Sequence, residues 1–290
     1  MPAELTPDTE ELAYRIRRFA LEMVHRADSS HIGGALSVAD ILAVLYGRVL
    51  RVRPREPDWP ERDRLVFSKG HACTALYAAL ALKGFFPLDE LAEYGTTGTR
   101  LLGHVSHQVP GVEWSTGSLG HGLGLACGQA LAALRRGASW RVFAVLSDGE
   151  LDEGSTWEAV LFAAHHRLWN LTAIVDRNGQ QALGDTENIL RLEDICAKFR
   201  AFGWQALEVD GHAHQALLWA LEAAVSDSAP TCIVARTVKG CGVDYMEDRL
   251  EWHYRAPKTP ELLEAALRAL ARRYGRAYES PALGDDRVGG

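Results

Sequence analysis

The chain of 290 residues has few cysteines, no excess of basic charge and no long apolar run. The five cysteines form no C-x-x-C pair, which argues against a disulfide scaffold or zinc site and favours reduced, mostly buried thiols in a cytoplasmic protein. The net charge of −7 argues against a broad nucleic-acid-binding surface. No apolar run approaches the ~20 residues of a membrane span, and the charged N-terminus lacks a signal-peptide core. We therefore expect no nucleic acid and no membrane as partner.

Several common nucleotide-binding and nucleophile motifs are also missing. The sequence contains no G-x-x-x-x-G-K-[ST] and no G-x-S-x-G. Gly122, Gly124 and Gly128 lack the G-x-G-x-x-G spacing and follow no clear strand. We interpret them as sites of close helix packing rather than as a dinucleotide-binding loop.

Apolar periodicity predicts alternating helices and strands with no dividing linker. Helices are predicted over residues 10–27, 38–50, 72–84, 119–135, 155–168, 191–202 and 214–225. Strands are predicted over 64–68, 141–146, 171–176, 205–209 and 231–236, and a long loop over 84–118. Because the strands lack polar alternation, the pattern indicates an α/β fold, a mostly parallel sheet with helices on both faces. We predict one domain over 1–274 and a flexible C-terminal tail over 275–290.

Polar residues follow two strands of one predicted βαβ unit. Asp148 comes directly after the first strand and Asn178 follows the second. The carboxyl ends of neighbouring parallel strands meet at one sheet edge, where ligands bind. A carboxylate and an amide oxygen suit Mg²⁺, and Gly149 allows a phosphate to approach the backbone closely. The alternative is that Asp148 and Asn178 are ordinary turn residues, but their matching positions favour a metal-bridged diphosphate pocket.

Five histidines lie in glycine-rich or loop contexts: His31, His71, His104, His107 and His253. Histidine can move protons near neutral pH and can hydrogen-bond phosphate. For each one, a loop histidine with a local partner remains an equally weighted alternative.

Ordered motifs over about residues 12–257 resemble the transketolase family of thiamine diphosphate enzymes. More narrowly, the chain resembles the separate N-terminal subunit of a split transketolase. The matching segments are DSSHIGGALSVADIL, DRLVFSKGHACTALYAAL, LLGHVSHQVPGVEWSTGSLGHGLG, SDGELDEGSTWEA, LTAIVDRNGQQ and VKGCGVDYMEDRLEWH. The family's cofactor motif begins with GDG and ends in an asparagine about thirty positions later. Here the motif runs from Ser147 to Asn178.

The resemblance implies a thiamine diphosphate-binding fold and assigns ligands to the diphosphate end of the cofactor. Asp148, Asn178 and the carbonyl of Gln180 are expected to hold Mg²⁺ (or Ca²⁺). The residues expected to contact the diphosphate are Gly149, His71 and His253.

The resemblance also assigns residues to the ring end of the cofactor and to catalysis. Gly117 and Leu119 are expected to border the aminopyrimidine ring. His31 and His104 are expected to line the channel to the thiazolium carbon, and Glu153 resembles an acidic residue between paired active sites. The implied catalytic residues are His31, His104, Glu153 and His253.

Two positions depart from the family pattern. Ser147 replaces the first glycine of GDG, and a small hydroxyl is expected to be tolerated there. Tyr254 replaces a glycine that usually follows the last histidine, so that its phenol would narrow the donor end of the site.

By the resemblance, the 290 residues account for the diphosphate-binding half alone. We therefore expect a separate C-terminal subunit to carry the pyrimidine-binding domain, with self-association and an α₂β₂ assembly. Residues 84–118 and the helix after Leu119 are the candidate interface.

The implied reaction transfers a two-carbon ketol unit from a ketose donor to an aldose acceptor. The first alternative is a specialised enzyme of the same cofactor class that acts on a non-sugar acceptor. The second is a non-catalytic binding or regulatory subunit that keeps the fold.

Overall fold

The computed structural model describes residues 8–224 and 228–283. The strands in these residues are β1 (Arg64–Phe67), β2 (Val142–Ser147), β3 (Leu171–Arg177), β4 (Gln180–Gln181), β5 (Gly184–Asp185), β6 (Gln205–Asp210) and β7 (Thr231–Arg236). Five of them form a parallel sheet in the order β1-β2-β3-β7-β6, and β4 and β5 form a separate antiparallel pair. The predicted α/β fold with a mostly parallel sheet is confirmed.

Helices cover both faces of this sheet. In the described part of the chain they are α1 (Thr9–Arg26), α2 (Ile32–Val44), α3 (Cys73–Lys83), α4 (Gly122–Arg136), α5 (Gly154–His165), α6 (Thr186–Ile189), α7 (Ile195–Ala201), α8 (His214–Ala223) and α9 (Pro260–Arg273). α1, α2, α3, α8 and α9 pack on one face, and α4, α5 and α7 on the other.

The strands are apolar throughout because alternate residues enter two separate cores. Phe143 and Val145 of β2 contact the core of the α1–α2 face, whereas Val142 and Ala144 contact the core of the α4–α5 face. Successive side chains of a strand point to opposite faces, so a sheet covered on both sides has no polar alternation.

Helix α2 begins at Ile32, six residues before the predicted start at residue 38. The HIGG segment suggested a turn, but Gly33 and Gly34 lie inside the helix. A Cβ at Gly33 would lie close to Lys239, 3.0 Å from its Cγ, whereas one at Gly34 would make an ordinary contact, 3.5 Å from Nε2 of His71. After Val44 the helix continues as a π-helical stretch, Leu45–Val49.

Other boundaries also differ from the predictions. The predicted loop 84–118 contains a 3₁₀ helix, Leu88–Glu93, and α4 begins at Gly122 instead of residue 119. The predicted helix 191–202 is limited to α7, and residue 225 of the helix predicted near 214–225 lies outside the described residues. The sequence analysis missed α9, although Thr259 caps it and Pro260 occupies its first turn, a recognisable start signal.

The described part of the predicted tail packs against α1. Glu22 of α1 accepts hydrogen bonds from the backbone N–H groups of Ala282 (2.9 Å) and Leu283 (2.8 Å). Arg26 donates to the carbonyl of Leu283 at 2.8 Å. Polar side chains of α1 thus contact the last described residues of the predicted tail. The flexibility predicted over 275–290 stays a prediction, and residues 284–290 lie outside the described residues.

The stretch Ile32–Val49, with a mean hydropathy of 1.5 over 18 residues, is long and apolar enough to span a membrane by composition. It is 89% buried inside the protein. Packing between α1, α3 and α8 therefore accounts for its apolar character as a core helix.

The interpretation of the three glycines of α4 holds at one position only. A Cβ at Gly122 would lie 2.2 Å from Oγ of Ser68, so the helix start needs glycine. Gly124 and Gly128 meet nothing within 4 Å, and they lie on the exposed face of α4. All five cysteines are unpaired and buried, as the sequence predicted.

Candidate active site

A cavity of about 340 Å³ lies beyond the carboxyl ends of β2 and β3. β2 and β3 are neighbours and Ser147 pairs with Asp176, so the residues that follow the two strands meet at one edge, as expected. The cavity is lined by ten of the predicted site residues: His31, His71, His104, Gly117, Leu119, Asp148, Gly149, Asn178, Gln180 and His253.

One wall of the cavity carries hard oxygen atoms. Asp148 is 1% exposed, and its carboxylate accepts backbone hydrogen bonds from Gly149 (2.9 Å) and Gly179 (2.7 Å). Asn178 and Gln180 line the same cavity, and Oε1 of Gln180 is buried without a hydrogen-bond partner. Burial and the nearby Asp176 raise the pKa of Asp148 to about 6. The Asp148 carboxylate together with the oxygens of Asn178 and Gln180 is the kind of ligand set that Mg²⁺ or Ca²⁺ prefers.

Two buried lysines accompany these oxygens in different ways. Lys69 forms a fully buried ion pair with Asp176 and donates to the carbonyl of Gly34 at 3.1 Å. Nζ of Lys239 lies 3.1 Å from the carbonyl oxygen of Gln180 and 2.7 Å from Nδ1 of His253. Burial and Lys69 lower the pKa of Lys239 to about 8. Lys69 is thus neutralised by Asp176, whereas Lys239 faces the cavity and can meet an anionic ligand.

Sequence reasoning missed Lys239 as a site residue. The lysine stands in VKGCG, which the resemblance already included, but no spacing rule connects it to Asp148. It also missed Gly34, Gln181 and Ala182, which line the same cavity.

Four predicted histidines form one cluster around the cavity. The ring of His31 lies 5.3 Å from that of His71, 6.1 Å from that of His104 and 5.4 Å from that of His253, between centroids. Burial, His104 and Lys239 lower the pKa of His31 to about 4, and burial, Lys239 and His31 lower that of His253 to about 3. Burial and Lys69 hold the pKa of His71 well below its usual range.

These shifts keep His31, His71 and His253 neutral at pH 7, so each imidazole can both accept and donate a hydrogen bond. His31 precedes α2 in a left-handed conformation, with φ of 68°, and its Nδ1 is buried without a partner. Its backbone N–H donates to the carbonyl of His253 at 3.0 Å. A strained backbone at a cavity wall is typical of a functional position.

The segment before α4, which contains Gly117 and Leu119, lines another side of the cavity and packs closely against its neighbours. A Cβ at Gly117 would lie 2.8 Å from Cδ2 of His104. The buried carboxylate of Glu150 accepts hydrogen bonds from the backbone N–H of Gly120 (2.9 Å) and from Ser68. Glu150, which the sequence analysis did not single out, therefore holds this segment in place beside Leu119.

Two predicted residues lie elsewhere. Glu153 is exposed at the start of α5, against Gly120, and does not line the cavity. Its place between paired active sites stays a prediction. His107 lies on the exposed loop, where its Nδ1 is 2.8 Å from Oγ of Ser115, and it also lies outside the cavity lining.

Both departures from the family pattern line the cavity. Ser147 ends β2, and its backbone N–H lies 3.4 Å from a carboxylate oxygen of Glu150. Tyr254 is 61% exposed, and its ring centroid lies 5.2 Å from that of His31 and 4.6 Å from that of His253. The phenol thus stands at the solvent side of the histidine cluster.

Fold and site together define an α/β domain that can hold a metal-bridged anionic cofactor at the carboxyl edge of a parallel sheet. Residues 9–281 match the family described as "Transketolase, thiamine diphosphate binding domain". The chain therefore belongs to the transketolase family, as its thiamine diphosphate-binding domain, and the resemblance seen in the sequence is confirmed.

Relatives of similar length carry names of transketolase subunits. The chain is 40% identical over 267 residues to the 6-deoxy-6-sulfo-D-fructose transketolase subunit SqwG of Clostridium sp. (strain MSTE9), covering 91% of this chain and 97% of that protein. It is 39% identical over 258 residues to one subunit of the apulose-4-phosphate transketolase of Phocaeicola vulgatus, covering 89% and 92%. These relatives agree with the predicted transketolase-type transferase and with a split-subunit organisation.

Whole transketolases match over part of their length. The transketolase of Campylobacter jejuni superposes with a TM-score of 0.87 at 31% identity, over 94% of this chain and 43% of that chain. The human transketolase is 40% identical over 255 residues, which cover 85% of this chain and 40% of that protein. The chain thus spans about two fifths of the whole transketolases that it matches.

Proposed function

We propose that this chain is the diphosphate-binding subunit of a two-component transketolase that uses thiamine diphosphate and Mg²⁺. The observation that carries the proposal is that one cavity is lined by hard oxygen ligands, by neutral histidines and by Lys239, whose ammonium can bind an anionic ligand. The volume of the cavity, about 340 Å³, suits part of a small cofactor.

Each wall has a role in holding this cofactor. Asp148, Asn178 and the carbonyl of Gln180 would bind the metal, which would bridge to the diphosphate. Lys239 and His71 would meet the diphosphate oxygens, and Gly117 and Leu119 would border the ring end. When bound, the cofactor would supply a nucleophilic carbon and an electron sink for breaking a carbon–carbon bond.

The histidines of the chain would move the protons of the reaction. His31, His104 and His253 surround one end of the cavity, and the lowered pKa values keep His31 and His253 neutral, which leaves one ring nitrogen of each without a proton. We assign the proton transfers at substrate hydroxyls to this cluster. Neutral imidazoles also avoid repulsion with the nearby ammonium of Lys239.

We further propose that a separate polypeptide carries the pyrimidine-binding half and that the assembly is α₂β₂. The names of the similar-length relatives support a partner chain. Apolar side chains exposed in the predicted interface region include Leu102 (48%) and Trp114 (43%). The helix that follows, α4, carries Gly124 and Gly128 on its exposed face, where no other atom lies within 4 Å of an added Cβ. The buried, unpaired cysteines support a reducing, cytoplasmic location.

A specialised acceptor is a second candidate, and Tyr254 favours it. Its exposed phenol stands beside His31 and His253, where an incoming substrate would pass. The two relatives of similar length are named for different substrates, a sulfonated fructose and apulose 4-phosphate, which supports a substrate choice that varies among such chains.

Titration calorimetry tests the cofactor assignment. Thiamine diphosphate is titrated into the chain, alone and with a companion chain sought in the neighbouring reading frame, in the presence of Mg²⁺, Ca²⁺ or chelator. We expect metal-dependent binding, and thiamine without its diphosphate is the matched control. Absence of binding in every arm would leave only the non-catalytic role. Ketol-transfer assays of the reconstituted pair with sugar phosphates and non-sugar acceptors then separate the two catalytic candidates.

A further inference from the structure

A buried polar network lies behind the cofactor cavity, between α1, α2 and the start of α8. Asp40 of α2 is 3% exposed and pairs with both terminal nitrogens of Arg17, at 3.0 and 2.6 Å. It also lies 2.6 Å from Nδ1 of His212 and 2.9 Å from Nε2 of His214. Four donors therefore surround one carboxylate.

His212 connects this network to the backbone on the other side. The N–H of Val238 donates to Nε2 of His212 at 2.8 Å. Nε2 can accept this bond only in the neutral tautomer that carries its proton on Nδ1, which then donates to Asp40. Against the opposing effect of burial, the bond to Asp40 raises the pKa of His212 to about 9, whereas the hydrogen bond from Val238 requires a lone pair on Nε2. We take the ring as neutral on this geometry, because Arg17 already balances the charge of Asp40.

The segment held in this way carries Lys239. Val238 directly precedes the lysine, and Nε of Arg17 donates to the carbonyl of Cys241 at 3.0 Å, two residues after it. The network therefore fixes the backbone on both sides of the residue whose ammonium reaches the cavity.

We propose that His212 is a positioning residue that aims the ammonium of Lys239 into the cofactor cavity through its hydrogen bond to Val238. The inference rests on the proposed function, in which Lys239 meets the diphosphate. Because lysine has a flexible stem, its ammonium occupies one place in the cavity only when both its backbone and its stem are held. The stem of Lys239 is also confined by Gly33, where a Cβ would lie 3.0 Å from its Cγ.

Two amide variants of His212 separate its two hydrogen bonds. The amide of Gln reaches about as far as Nε2, so His212→Gln can still accept from Val238 while losing the bond to Asp40. The shorter His212→Asn can donate to Asp40 but cannot reach Val238. A structural role through Asp40 predicts rescue by Asn, whereas the positioning role predicts rescue by Gln. His214→Ala is the matched control, because it removes a bond to Asp40 without touching Val238.

The affinity for thiamine diphosphate with Mg²⁺ is measured by calorimetry on the full chain with its companion chain. We expect His212→Ala and His212→Asn to weaken binding about 10-fold or more, as for outer partners of ligating groups. His212→Gln and His214→Ala should stay within about 3-fold of wild type. On a Lys239→Met background, His212→Ala should have no further effect, because its action passes through the lysine.

Hydrogen–deuterium exchange of the peptide around Val238 tests the tether without any cofactor. Exchange should be faster in His212→Ala and His212→Asn than in wild type or His212→Gln. Any of three results would overturn the positioning role. These are equal affinities for all variants, a normal affinity in His212→Asn, and a double variant whose loss of affinity is the product of the losses in His212→Ala and Lys239→Met. Failure of the wild type to bind contradicts the proposed function and removes the role of Lys239 with it, while the exchange pattern still shows whether the tether exists.

Discussion

Replacing Asp148 by asparagine should stabilise the cofactor-free chain and at the same time abolish metal-dependent cofactor binding. Burial and Asp176 raise the pKa of this carboxyl from 3.8 to about 6. At about 1.4 kcal/mol per pH unit, keeping it charged at pH 7 costs the folded state about 3 kcal/mol. Because the folded-state pKa lies above the unfolded one, this cost is absent below about pH 4, grows toward pH 6 and is complete above it.

The substitution Asp148→Asn removes the buried charge but loses part of the hydrogen bonding. The carboxylate accepts from Gly149 and Gly179, and an amide can accept from one of them while its NH₂ faces the other. That mismatch costs about 1–2 kcal/mol. The net gain at pH 7.5 is then about 1–2 kcal/mol, or about 2–6 °C in Tm for a domain of comparable size.

Thermal unfolding of the cofactor-free chain between pH 4 and 8 measures the first effect. The gain of Asp148→Asn in Tm should appear as the pH rises from 4 to 6 and stay constant above. Calorimetric titration with thiamine diphosphate and Mg²⁺ measures the second effect, and we expect a loss of at least ~100-fold, since even outer partners of metal ligands contribute 10–100-fold. Asp185→Asn, at an exposed position in the β4–β5 hairpin, is the control for both. A lower Tm at pH 7.5 would refute the buried-charge reasoning, and affinity within tenfold of wild type would remove Asp148 from the metal site.

Three further predictions concern catalysis and assembly. His31→Ala and His104→Ala should lower turnover by about 10²–10⁴-fold, far more than they lower cofactor affinity, whereas His71→Ala should mainly weaken cofactor binding. Steady-state kinetics with cofactor titration measures both effects, and one common pattern in the three variants would contradict this division. Tyr254→Gly should open the substrate end of the cavity and change the relative kcat/KM for short and long acceptors, with equal ratios counting against a specificity role. The purified chain should self-associate but show no ketol transfer until the companion chain is added, as measured by light scattering and a coupled assay; full activity of the chain alone would refute the split-subunit proposal.

Much of the site could be predicted because its residues stand at positions that the strand pattern marks. Asp148 and Asn178 each follow an apolar strand, and parallel pairing brings strand ends together regardless of the residues between them. His71 and His104 stood out because glycine-rich loops surround them. Lys239 had no such mark, because a lysine after a strand is normally a surface residue.

The sequence by itself determined the sheet, its two covered faces and the polar edge, since continuous apolar strands need burial on both sides. It also contained the family's ordered motifs, now matched over residues 9–281. Only the tertiary structure decided which charges neutralise one another. Lys69 pairs with Asp176 although 107 positions separate them, and this pairing leaves Lys239 facing the cavity. Tertiary packing also decided that Ala282 and Leu283 lie on α1, because their hydrogen bonds depend on the distant side chain of Glu22, which no local pattern records.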